Sequence, residues 1–191
     1  LQSAATLFLE KGYLKVPMRE IAHKSGVGLS NIYNYFSCKD DIFVQIVTPA
    51  VRTFENMLDE HHGRRGTDIM AMCDRDYFKY MVDEYTSFIH RHRDLLLLLL
   101  FRSQGSSLEN YKEEFARKST ALVKEYFTLM KHKHPQLETD ISDFSIRMHT
   151  VWMFALFEEL LMRRVKPDEI EKVVTEYMTI EVAGWRELMK I

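Results

Sequence analysis

An all-α fold is predicted for this chain on three grounds. Apolar residues recur at helical spacing from end to end, no stretch alternates as a strand would, and glycine and proline are scarce, at 7 and 4 in 191 residues. Hydrophobic residues at 46% and charged residues at 28% are the composition of an ordinary globular protein with enough material for a sizeable core.

The first helix is marked by Leu1, Ala4, Ala5 and Phe8, which share one face, and by Gly12 in the place of a left-handed C-terminal cap. It opens in mid-helix at Leu1 with no methionine, so further residues are expected upstream, where a basic arm would reach a DNA groove. Pro17 suits the first position of a second helix carrying Met18, Ile21, Ala22 and Ser25 on one face, with Gly26 as its stop. Val16 is a poor cap ahead of that proline, where Ser or Thr is usual. Val27 and Gly28 make a turn, and Leu29, Ile32, Tyr33 and Phe36 give a third short stripe ending near Ser37. Three short helices with a tight glycine-containing turn between the second and third have the layout of a helix-turn-helix.

A longer fourth helix starts near Asp40, whose carboxylate and that of Asp41 favour its positive N-terminal end. Its apolar face is Phe43, Ile46, Val47, Ala50, Phe54, Met57 and Leu58. Pro49 lies inside it, removes a backbone hydrogen bond and crowds the carbonyl of Gln45, which predicts a bend or split near Thr48. The polar stretch 61–68, with Gly63 and Gly66, ends the helix. Helical segments follow at 75–91, 93–102, 107–133, 140–164 and 167–189. The expected division is an N-terminal three-helix DNA-binding domain over 1–45 and a helical ligand-binding and dimerisation domain over 46–191. Residues 144–162, including Val151 and Trp152, are apolar almost all round, and Ile170, Val174, Tyr177, Met178, Val182 and Trp185 continue with a wide stripe. Two such helices fit a four-helix bundle with their counterparts in a second copy, or a wholly internal core.

The net charge of −2 excludes a protein that coats nucleic acid nonspecifically. Residues 1–45 nonetheless hold five Lys/Arg (Lys11, Lys15, Arg19, Lys24, Lys39) against four acids, so a local site is compatible with the total. Two isolated cysteines, Cys38 and Cys73, make no disulfide framework and fit a reducing compartment. The longest apolar run, 95–101, is far short of the roughly 20 residues of a membrane-spanning helix, and no signal peptide is visible. A cytoplasmic location with no membrane partner is expected.

The elements Lys11-Gly12-Tyr13, Met18-Arg19-Glu20-Ile21-Ala22, Ser25-Gly26-Val27 and Asn31-Ile32-Tyr33-Asn34-Tyr35-Phe36, with Lys39, resemble the DNA-binding signature of TetR/AcrR-family regulators. The remaining three quarters match that family only as helices of suitable length. The resemblance implies a homodimer through the last two helices, bound to double-stranded operator DNA and released by a small-molecule effector. In a helix-turn-helix the third helix enters the major groove, so Ser30, Asn31 and Asn34 are the candidates for base edges. The resemblance places Tyr33, Tyr35 and Lys39 on the sugar-phosphate backbone and makes Arg19 a DNA contact. Leu29 departs from the family's polar preference, and either touches a thymine methyl or extends the packing stripe. The competing reading is a mere packing unit in which Tyr33 and Tyr35 are core aromatics.

Tyr85, Phe88, Phe101, Phe115, Tyr126, His149 and Trp152 are the candidate walls of an apolar or aromatic effector site, each competing with a plain core role. The pairs His61/His62, His90/His92 and His132/His134 lack the i, i+4 spacing and completing ligands of a metal site and are expected to be solvated surface. No catalytic residue, metal or cofactor is predicted, since nucleophile motif, phosphate loop and ligand set are all missing, and Glu158 and Glu159 point to different sides of a helix. A further alternative keeps the DNA-binding unit but has the C-terminal domain answer to a protein, in which case a solid core with an exposed apolar patch is expected in place of a cavity.

Overall fold

The computed structural model describes residues 1–191 as eight α-helices and one 3₁₀ turn. They are α1 (Gln2–Lys11), α2 (Met18–Ser25), α3 (Leu29–Tyr33), α4 (Lys39–His62), the 3₁₀ turn Ala71–Cys73, α5 (Arg75–Phe101), α6 (Tyr111–Lys133), α7 (Asp143–Met162) and α8 (Pro167–Met189). The fold is all-α, as the periodicity predicts. No helix is long and apolar enough to cross a membrane.

Local differences from the predicted elements have local causes. Pro17 flanks α2 in an extended conformation instead of opening it, and Val16 stands where a polar cap would because its side chain is fully buried. Gly26 stops α2 in the left-handed region (φ 68°, ψ 19°), as expected. Gly12 has φ 80° but ψ 154°, a combination essentially confined to glycine, and is not an ordinary left-handed cap. The third helix ends at Tyr33 instead of near Ser37. Its chain continues as a turn in which the Tyr35 and Phe36 amides both donate to the Ile32 carbonyl at 3.0 Å.

The predicted split at Pro49 does not occur: α4 is continuous from Lys39 to His62. Ile46, Val47 and Ala50 are buried around it, whereas Pro49 and Gln45 are exposed. The ring and the carbonyl it deprives of a partner thus lie where water serves as replacement. In α5 the expected break between 91 and 93 is present as a non-helical residue, His92 (φ −113°, ψ 17°).

Contacts divide the chain into two compact units. The first is Leu1–Thr53 with His92–Tyr111, and the second is Phe54–Arg91 with Lys112–Ile191. This differs from a boundary at 45/46 because α4 has no break there and because the segment after His92 is built into the N-terminal unit. The Tyr13 amide donates to the Arg102 carbonyl at 2.8 Å, and the Ser107 amide to Asp40 Oδ1 at 2.9 Å. The first unit is centred on Phe8, Tyr13 and Phe43, with ring centroids 5.1–5.7 Å apart. The second has two cores. One is Phe54 among Phe88, Phe115, Phe154 and Phe157. The other is an aliphatic and aromatic cluster that includes Ile69, Val123, Tyr126, Phe127, Ile146 and Met189.

Candidate DNA-contacting surface and interior cavity

In the first unit α3 is anchored from one side. Ile32 is buried with Ile21 and Ala22 of α2, which fixes the other faces of the short helix outward. Ser30, Asn31 and Asn34 are exposed, and so are Tyr33 (49%) and Tyr35 (79%), which are therefore not core aromatics. Leu29 is half-buried, intermediate between a groove contact and a packing residue. Arg19 is exposed on the first turn of α2. Asp41 caps the start of α4, accepting from the amides of Ser37 (2.8 Å) and Cys38 (3.2 Å), and so fixes the chain leaving the exposed turn.

Charge in this unit is partly spent internally. Lys11 pairs with Glu20, and Lys24 with Glu10 at 3.4 Å. Lys39 is held differently from the other candidates: its ammonium donates to the Tyr13 carbonyl at 2.8 Å and stands 4.1 Å from that ring's centroid. Burial lowers its pKa. Two of its three N–H bonds remain for another acceptor. The first 45 residues thus present Arg19 and Lys15 as outward cations beside a row of hydroxyl and amide groups.

The second unit encloses a cavity of about 120 Å³, walled by the end of α4 and by α5, α6, α7 and α8. Of the expected walls, Tyr85, Tyr126 and His149 line it. Phe88 and Phe115 belong instead to the ring cluster on Phe54, Phe115 also bordering a smaller void of about 40 Å³. Phe101 falls in the other unit, and Trp152 is 55% exposed on α7, so neither lines the cavity. The reason is rotational: on α7 the inward positions are Ile146, Thr150, Met153 and Phe157, and Trp152 lies off that face. The indole in the wall is Trp185, from α8. Glu181, Tyr177, Met72 and His62 are further wall residues that the aromatic count missed. A signal existed for three of these: Tyr177, Glu181 and Trp185 follow one another at i, i+4 and i+8, so an acid sits on an aromatic face of one helix.

The cavity's polar groups are few. The Glu181 carboxylate is buried and ion-paired with His149 Nδ1, whose ring lies 5.4 Å from that of Trp185. Tyr126 donates to the Thr67 carbonyl at 2.7 Å. His62 is half-buried and lines the cavity. Desolvation first, and then the neighbouring His61 and His149, push its pKa down to about 3. Its Nδ1 has no partner. Neighbouring His61 is buried too, bonded to the Tyr77 hydroxyl and, at 2.6 Å, to Glu84 Oε2. The expectation that this histidine pair is solvated surface is therefore overturned. His61 and His62 belong to the last turn of α4, which is part of the second unit, and the polar stretch leaves the helix only at Gly63. No group of three or more His, Cys, Asp or Glu is placed to hold a metal ion.

Residues 1–46 match the family described as bacterial regulatory proteins, tetR family. Over 130 residues the chain is 24% identical to an HTH-type transcriptional regulator of Haemophilus influenzae, a match covering 67% of this chain and 59% of that relative's length. Among solved structures, the chain is similar to FadR of Bacillus subtilis in complex with stearoyl-CoA (16% identity, 93% of this chain and 94% of that one, TM-score 0.62). It is also similar to NalD of Pseudomonas aeruginosa, the secondary repressor of a multidrug efflux pump (20% identity, 93% and 91%, TM-score 0.58). At these identities the structural likenesses carry the fold. In this chain the matched helix-turn-helix unit is followed by a helical body. The family match covers the N-terminal 46 residues, and the rest of the chain is similar to these regulators in fold.

Proposed function

We propose that this chain is a repressor that binds a palindromic operator as a homodimer and is released when a small apolar or aromatic molecule enters the cavity of its second unit. The observation that carries the reading is the outward row Ser30, Asn31, Tyr33, Asn34 and Tyr35 on and after α3, within the segment that matches the family. Asn34 is the candidate for a bidentate pair with adenine, with Ser30 and Asn31 beside it on base edges. Tyr33, Tyr35, Arg19 and Lys39 supply the phosphate contacts that fix register, and Leu29 supplies an apolar edge. Recognition helices of a dimer fall in successive major grooves about 34 to 36 Å apart. Such a protein acts in the cytoplasm.

The duplex is identified by selecting genomic fragments on the full chain. Asn34→Ala is then expected to weaken binding to the selected site by about 1 to 3 kcal/mol and to relax preference at one base pair. Equal losses on selected and random DNA would remove Asn34 from base readout.

Dimerisation through α7 and α8 is supported by the apolar side chains those helices leave in solvent: Phe144, Val151, Trp152 and Met162 on the one, Ile180 and Leu188 on the other. Exposed apolar residues concentrated on two helices are the usual mark of an interface. Val151→Glu is expected to yield monomers or insoluble protein, because the dimer would bury an unpaired charge. A soluble, fully dimeric variant in sedimentation equilibrium would rule these helices out as the interface. The cavity favours a small-molecule effector over a protein one, since a solid second unit would have no room for a ligand.

A further inference from the structure

The chemistry of the cavity wall narrows the class of effector. His149 Nδ1 is bonded to Glu181 and is also approached by the Trp185 indole nitrogen at 3.3 Å. One ring nitrogen cannot donate to a carboxylate and accept from an indole at once. With the Nδ1 proton directed to Glu181, as a charge-assisted bond to a buried carboxylate favours, the Trp185 N–H is left without an acceptor. The Tyr177 hydroxyl oxygen is itself buried and makes no hydrogen bond of good geometry, although the Glu181 carboxylate lies close enough for a loose one and, after burial, helps to raise its pKa. The Tyr85 hydroxyl has only a sulfur, Met153 Sδ at 3.5 Å. Donors turned away from solvent are almost always well satisfied, so three weakly served donors around one void mark a place where an acceptor fits.

Resting on the reading of this cavity as the effector site, we propose that its effector is an uncharged, ring-bearing molecule with a hydrogen-bond-accepting oxygen, a carbonyl above all. An anion meets one cation, Arg186, at the cavity border, but it also meets the buried Glu181 carboxylate and gains nothing from His62, whose ring stays neutral. A cation adds donors to a wall that already has them in excess and brings its charge beside Arg186, which also borders the cavity. The flat faces come from Tyr126, Phe127 and Trp185, and the volume of about 120 Å³ is close to that of a void, roughly 150 Å³, that accepts benzene.

Four probes with one ring and different heads separate the possibilities: acetophenone, benzoate, benzylamine and ethylbenzene, titrated calorimetrically into the full chain. Acetophenone is expected to bind at least about tenfold more tightly than the other three. Tyr177→Phe and Trp185→Phe each remove one donor, and each is expected to narrow the advantage of acetophenone over ethylbenzene measured in the same variant. Benzoate or benzylamine equalling acetophenone, or both variants retaining its preference, would overturn the proposal. Ethylbenzene binding as tightly as acetophenone overturns the carbonyl inference and leaves the cavity as an effector site. Binding by none of the four overturns both.

Discussion

Phe54→Ala is expected to remove about 3 to 5 kcal/mol of folding stability, the cost of truncating a large aromatic side chain in a packed core. Phe54 is buried, and its ring stacks on Phe115 (4.3 Å between centroids) and Phe88 (5.2 Å) while meeting Phe154 and Phe157 edge-on at 5.6 Å. One side chain from α4 therefore touches rings from α5, α6 and α7. None of these rings can swing into the void without abandoning its own neighbours. Against a total of about 5 to 15 kcal/mol for a native protein, the loss is a large fraction. For a chain of this length it corresponds to a fall in Tm of roughly 6 to 20 °C. Urea titration of the parent and the variant measures it directly. A loss under about 1 kcal/mol would mean that these rings do not form a shared core.

The second large effect is acid sensitivity arising at His62. Its pKa falls from an ordinary 6.5 to about 3 in the folded chain because burial opposes the charged form. The unfolded chain then binds a proton that the folded chain refuses. Stability is complete above pH 6.5 and declines as the pH falls toward 3. Linkage puts the loss at about 2 kcal/mol by pH 5 and about 3 kcal/mol by pH 4. His62→Gln keeps a polar side chain of similar reach without the titration. It is expected to flatten the decline over that window relative to the parent, whatever its stability at pH 7.5. Parallel pH profiles for the two proteins would show that His62 is protonated in the folded state and that its site is wetter than the structure shows.

The N-terminal unit was the more legible part, and the physical reason is local. Gly26, Ile32 and the Ala/Ile stripe of α2 act within a few residues of one another, so spacing alone fixes which side chains face out. The exposed Tyr33 and Tyr35 follow from Ile32 being the inward residue. The cavity was less legible because its wall draws on five helices, and a count of aromatics carries no helix rotation. Of the expected residues, Tyr85, Tyr126 and His149 line it, whereas Trp152 is exposed and the indole in the wall is Trp185, 33 residues further on. His61 and His62 were misread for the same reason. A polar pair beside two glycines looks like a loop until the length of α4 is known. Whether a proline splits a helix depends on its surroundings, and with Pro49 and Gln45 both exposed α4 runs on without a break.

The division of the chain bears on how the protein can be taken apart. Because the N-terminal unit is completed by His92–Tyr111, the backbone passes between the two units three times, within α4, within α5 and at the start of α6. Thr53 Oγ1 and His92 Nε2, 3.2 Å apart, link the N-terminal unit's side of the first passage to its side of the second. A fragment cut after residue 46 carries the family signature but loses the Arg102 carbonyl that receives the Tyr13 amide and the Ser107 amide that binds Asp40. Moving the N-terminal unit onto another protein therefore requires transplanting two separate stretches of sequence, and a single-junction chimera inherits an incomplete module.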